Sequence, residues 1–289
     1  MLNDILRFSI FIILSLGMTI SVYSQQPGDI ITESSAPDEE EHFLDGVVER
    51  TNIHESQILD YAPMREADVP WERTIWRVID VREKINAPFV NPLRPLVTIL
   101  TEAAESGEIT VFENDEFLHS LNPDEVSAQL FTIDTTRVLD PETYEEEIVI
   151  TESTVDPLSI QRYRIKEVWY FNNKTSRLGV RILGISPLRD IYSDETGEFM
   201  FEIPMFWVYY PQAREILGRE RAFVTGNDAA PMTWYDVMEM RRFSSYIFKA
   251  SNVYDERISA FYEDRIDQLI ESQDIEDELF NFEMDFWSY

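Results

Sequence analysis

Apolar positions along the chain follow two periods, and the change between them suggests the fold. From Trp71 to Ile85, the residues Trp71, Ile75, Val78, Ile79, Arg82 and Ile85 fall on one side at helical spacing. Asp68 stands where a cap belongs, Pro70 suits a first turn and Pro88 halts the run, so a helix is predicted. A second helix is predicted from about Arg94 with Gly107 as its stop, then a short strand over Ile109 to Phe112. Asn122 as cap and Pro123 at the first position open a third helix. Acids crowd Thr132 to Glu152, which reads as a surface hairpin or insertion.

After that the period becomes two. Tyr163, Ile165, Trp169 and Phe171 alternate with Arg162, Arg164 and Lys166, the pattern of a half-buried strand. "NNKTS" makes the turn, and "RLGVRILGI" returns with Leu178, Val180 and Ile182 against Arg177, Arg181 and Leu183. A third strand, "FEIPMFWVYY", is apolar throughout and is expected to be buried on both faces. Pro211 opens a helix that Gly218 ends. Thr233 with Asp236 resembles a capping box, and the chain is read as helical from there to about Ser272. The fold class is α+β: a mostly antiparallel sheet with helices before and after it, flanked by an acidic N-terminal arm and an acidic aromatic C-terminal tail.

The ends refine this division. Arg7, the apolar run from Phe8 to about Ile20, and Val22 and Ser24 at the −3 and −1 positions read as a cleaved signal peptide over residues 1–24. Residues 25–68 form a polar arm with four consecutive acids from Asp38 to Glu41, expected to be extended or disordered. Its apolar spots, "FLDGVV" and "ILDYAPM", are candidates for docking on a partner or on the chain's own core. Residues 69–272 are expected to be one α+β domain, and 273–289 a tail that alternates acids with large rings. The mature chain is expected to be soluble and exported.

A net charge of −31 excludes phosphate-backbone binding and disfavours direct docking on anionic lipid. The absence of cysteine removes disulfides, thiol nucleophiles, Cys-ligated zinc and a lipidated N-terminal Cys. The three histidines, His42, His54 and His119, lack metal-ligand spacing, "GISPL" lacks the second glycine of a nucleophile elbow, and "SDETGE" lacks calcium-loop spacing. With 55 acids, carboxylate pairs occur by chance and none stands out. No enzyme, cofactor or metal is expected. The competing classes are a secreted glycoside hydrolase and a periplasmic ligand-binding protein.

Four blocks in order, "WRVIDVREKINAPFVNPL", "YRIKEVWYFNNKTSRLGVRILGISPL", "MFWVYYPQAREIL" and "RRFSSYIFKASNVYDERISAFY", resemble the gliding-motility-associated GldN (PorN) family of Bacteroidota over about Trp71 to Tyr262. The arm, the acidic insertion and the tail lie outside the resemblance. It implies a non-enzymatic periplasmic component of the type IX secretion system. Such a component forms a ring under the outer membrane with a GldK/PorK-like lipoprotein and contacts the periplasmic part of a GldM/PorM-like motor-linked subunit. Self-association within a ring and membrane association only through the lipoprotein follow from the same resemblance. It transfers no site residue.

One stretch remains unexplained by composition. Arg162 to Arg189 holds seven Lys and Arg residues against a single acid, Glu167. Arg162, Arg164, Lys166, Arg177 and Arg181 are therefore the candidate protein-interface residues. The alternative is that the chain's own acids answer them.

Overall fold

A computed structural model of the chain describes residues 57–139, 146–193, 196–227 and 232–287, with the side chains of 130–154, 283 and 285–287 outside that description. The signal peptide and most of the acidic arm fall outside the described residues. The strands are β1 (Trp71–Asp80), β2 (Val111–Phe112), β3 (Ser120–Leu121), β4 (Phe131–Leu139), β5 (Glu146–Thr154), β6 (Arg162–Asn172), β7 (Arg177–Tyr192), β8 (Phe199–Pro204), β9 (Trp207–Tyr209) and β10 (Tyr246–Ala250). The helices are α1 (Leu96–Glu105), α2 (Pro123–Leu130), α3 (Tyr210–Arg219), α4 (Trp234–Glu239), α5 (Ile258–Phe261) and α6 (Arg265–Trp287). Eight strands form one antiparallel sheet in the order β10-β1-β6-β7-β9-β2-β3, with β8 paired to β7. The acidic stretch folds as the predicted hairpin, with β4 paired to β5. The fold is α+β.

The first predicted helix is instead β1, which lies between β10 and β6. Trp71, Arg73, Ile75, Arg77 and Ile79 point to one face, and Thr74, Trp76, Val78 and Asp80 to the other. Both faces are covered, so Ile75 through Ile79 are all buried. A strand buried on both sides loses its alternation, and its apolar positions then also satisfy a helical period. The β-branched and aromatic content of "WERTIWRVI" decides the outcome.

Three further expectations need correction. Within Arg241 to Tyr262, Tyr246–Ala250 is an edge strand rather than helix; its two rings, Tyr246 and Phe248, face one common cleft, and Phe243 before it is buried. "FEIPMFWVYY" breaks into β8 and β9; β9 is largely buried, but Phe199, Met200 and Phe201 of β8 are exposed. The C-terminal helix does not end at Ser272 but runs on to Trp287.

Two cores result. The larger packs α1, α3 and α4 on the sheet, around Phe89, whose ring lies 5.4 Å from Tyr163 and 5.0 Å, edge-on, from Trp234. The smaller gathers Ile75, Ile247, Ala250 and Ile258 beneath Ile275 and Leu279 of α6. Polar groups stitch the edge strand in place. Ile247 donates its backbone N–H to Ser272 Oγ at 2.8 Å, and the buried Asn86 side chain satisfies both backbone groups of Ser244. Ile58 meets Gly218 of α3, and Arg214 donates to the Leu59 carbonyl. Thus "ILDYAPM" docks on the chain's own core.

Between the cores sits Glu167, fully buried on β6. Arg77 Nε donates to it at 2.5 Å, Arg241 reaches both its oxygens, and Trp169 Nε1 donates at 3.2 Å. Arg77 continues to Glu276 on α6. Arg241 holds a left-handed backbone (φ 52°) that a non-glycine residue adopts only under constraint. Burial alone would push the Glu167 carboxyl up, but Arg241 and Arg77 more than reverse this and hold it below its ordinary 4.5. A carboxyl depressed only in the folded state adds stability that is full above the unfolded value and lost as pH falls through the folded one.

Glu167→Gln leaves two buried guanidinium groups without their anion and is expected to cost about 3–5 kcal/mol in equilibrium urea unfolding at pH 7. The difference from wild type should shrink as pH falls below about 4.5. A cost under about 1 kcal/mol at pH 7 would contradict the assignment.

Candidate functional site

Alternation along β6 puts Arg162, Arg164 and Lys166 on the sheet face opposite Glu167. Register then decides the other two candidates. A bulge after Lys166 shifts β7, so Arg181 stands opposite Val168 and Arg177 opposite Asn172, both on the face of Arg162. All five basic residues therefore share one face of the sheet, but their contacts separate them.

Lys166 donates to the Asp115 carbonyl at 2.5 Å and lies 5.4 Å from the ring centres of Trp76 and Phe117. Arg181 donates to the Ala62 carbonyl at 3.1 Å and stacks on Tyr61, which Arg214 covers at 3.8 Å. These two hold loops of their own chain. Arg177 lies exposed at the hairpin end.

Arg162 and Arg164 behave differently, because they form the floor of a cleft of about 680 Å³. Its walls come from β7, β8, β10, α5 and the first turns of α6. Five arginines (Arg82, Arg162, Arg164, Arg257 and Arg265) face three carboxylates (Asp80, Asp190 and Glu202) there. Arg82 pairs with Asp80 and holds that carboxyl below its ordinary range, even though burial opposes the shift. Glu202 serves two arginines at once, Arg162 at 2.6 Å and Arg164 at 3.1 Å, and Asp190 lies 3.7 Å from Arg162. No carboxylate among the described residues lies within ion-pair distance of Arg257 or Arg265.

Arg164 is the least satisfied member. It is 6% exposed, and its Nε is buried with no hydrogen-bond partner. Burial pushes its pKa down, Glu202 only partly restores it, and the Arg257 charge lowers it further. The Phe248 ring lies 5.0 Å from its guanidinium, and Phe199 lies 5.5 Å from that of Arg162. Positive charge is in surplus here within a chain of net charge −31, and the walls are aromatic. The arrangement suits an anion borne on an apolar body.

Arg82, Arg257, Arg265 and Glu202 are absent from the candidates read from sequence. They come from four separate segments, and no local pattern links them to β6. Among the described residues, no group of three or more His, Asp or Glu side chains is placed to hold a metal ion.

The family model described as gliding motility associated protein GldN matches residues 64–288. The match extends beyond the four sequence blocks at both ends and takes in the acidic hairpin and nearly all of the C-terminal segment. No curated protein matches the chain.

Replacing Glu202 with Gln strands Arg162 and Arg164 together. We expect a loss of about 2–3 kcal/mol in urea unfolding, part of it recovered in Glu202→Gln/Arg164→Met, where the most deeply buried cation is also gone. A single-variant loss below about 0.5 kcal/mol would contradict the shared pairing.

Proposed function

The chain belongs to the GldN family, and from that premise we propose that it is a non-enzymatic structural subunit that builds a periplasmic ring with a GldK/PorK-like lipoprotein. Members of this family are periplasmic components of the gliding-motility and type IX secretion machinery. In our reading the subunit also contacts a GldM/PorM-like motor-linked partner and associates with copies of itself. Residues 1–24 are cleaved on export, and attachment to the outer membrane is indirect. No described helix is long and apolar enough to cross a membrane. On the basic sheet face, Arg162, Arg164 and the exposed Arg177 belong to the contact surface, whereas Lys166 and Arg181 are engaged by their own chain.

The family match over residues 64–288 carries this reading. The cleft chemistry supports it over the alternatives. Glycoside hydrolysis needs one carboxyl kept protonated beside another. In the cleft, Asp80, Asp190 and Glu202 all lie within ion-pair distance of an arginine, and Asp80 is shifted down. Small-molecule sites are mostly apolar with few polar groups, whereas this cleft carries eight charged side chains.

Affinity-tagged protein expressed in its native host is expected to co-purify with the ring lipoprotein, and deletion of the gene should stop type IX secretion. A chain that elutes alone as a monomer, with secretion intact in the deletion strain, would refute the proposal.

A further inference from the structure

The cleft and the C-terminal segment lie at opposite ends of one helix. Arg265, Gln268 and Leu269 at the start of α6 line the cleft. The helix then runs to Trp287, about 30 Å further along at 1.5 Å per residue. Its path is fixed by Arg77 on Glu276, Arg73 on Glu278 at 2.7 Å and Trp71 against Phe282 at 4.3 Å between ring centres. The end of α6 therefore cannot return to the cleft at its own beginning.

The two ends are chemically complementary. After Arg265 the sequence has no basic residue, and it closes with Glu283, Asp285, Phe286, Trp287 and Tyr289. The cleft offers the cations of Arg257 and Arg265, which have no ion pair among the described residues, the orphaned Arg164 Nε beneath them, and aromatic walls from Phe199 and Phe248. Exposed Met200 and Phe201 on β8, and Ile266 and Ile270 on α6, extend the apolar character beyond the cleft. A segment with two carboxylates set among large rings meets both requirements: its charges answer the surplus arginines, and its rings cover apolar surface that is otherwise left in water.

We infer that the Arg164 cleft of one subunit receives residues 283–289 of a second copy, joining subunits head to tail. The inference rests on the reading of the chain as an assembling subunit, and it supplies the contact that reading lacks. A contact between different surfaces of identical chains repeats without self-pairing, so it generates a ring or a filament rather than a closed dimer.

The test is a fluorescence-anisotropy titration of the full chain into a labelled peptide of residues 279–289, with a peptide of residues 37–49 as the acidic control. Saturable binding of the 279–289 peptide is expected, weakened by salt and at least tenfold tighter than the control. Arg257→Glu/Arg265→Glu should weaken it tenfold or more. Both residues are exposed and have no ion pair among the described residues, so the variant is expected to keep its unfolding transition. A peptide carrying Glu283→Lys and Asp285→Lys should regain affinity for that variant. Failure to bind, equal binding of both peptides, or indifference to the arginine reversal would each overturn the inference. If the chain still co-purifies with its lipoprotein in those cases, the assembling role stands and only the head-to-tail contact is lost.

Discussion

Burying a carboxylate with no access to water at the centre of a sheet is tolerable only if cations and donors surround it, and Glu167 imposes that condition on four separate parts of this chain. Arg77 from β1 and Trp169 from β6 itself supply two of its partners. Arg241 supplies the third from the segment before β10, at the cost of a left-handed backbone. Arg77 then passes the constraint outward to Glu276 on α6. An ion network of this kind is weak evidence for net stability, but it specifies which elements meet and in what register. The long helix is thereby laid across one face of the sheet in one position. Glu167 shares the placing of α6 with the Arg73–Glu278 pair and the Trp71–Phe282 contact.

The same strand shows how an acidic protein keeps a few positive charges in reserve. Glu167 points to one face of β6, and Arg162, Arg164 and Lys166 to the other. Lys166 and, across the bulge, Arg181 are absorbed by carbonyls and rings of their own chain. Arg162 and Arg164 are not, because one glutamate divides itself between them and, among the described residues, the only further carboxylate within ion-pair distance, Asp190, stands 3.7 Å from Arg162. Three more arginines then converge on the same cleft from elsewhere, and the surplus persists although the chain carries 55 acids against 24 Lys and Arg. A subunit whose acidic surface repels copies of itself gains specificity if attraction is confined to one recess. That is a physical basis for ordered assembly in a family whose members serve a secretion machine.

How much could be read in advance depended on how local each signal was. Caps, stops and alternation are set by neighbours in sequence. The Thr233–Asp236 box, the Asn122–Pro123 helix start, the α3 helix and the β6–β7 hairpin all lie where their residues indicate. β1 carries a helical period in its sequence because burial on both faces erases the alternation that distinguishes strand from helix, and β10 lacks a strand signal because five residues at a sheet edge carry too little pattern. The continuation of α6 past Ser272 rests on long-range contacts of Trp71, Arg73 and Arg77, which no local pattern reveals. For the site, alternation on β6 was sufficient to find Arg162 and Arg164. Their difference from Lys166 and Arg181 was not legible, since it depends on which distant acid or carbonyl arrives beside each one. Arg257 and Arg265 were invisible for the same reason.

The chain has no cysteine, so a single engineered pair reports its geometry without background. The most direct measurement places Cys at both Ser259, which lines the cleft, and Ser288, and follows disulfide formation under mild oxidation of the assembled protein. Head-to-tail docking predicts a ladder of cross-linked dimers, trimers and larger species, reducing to dimers alone when the two single variants are mixed. A double variant that stays uncross-linked, or that closes only within one chain, would contradict the account.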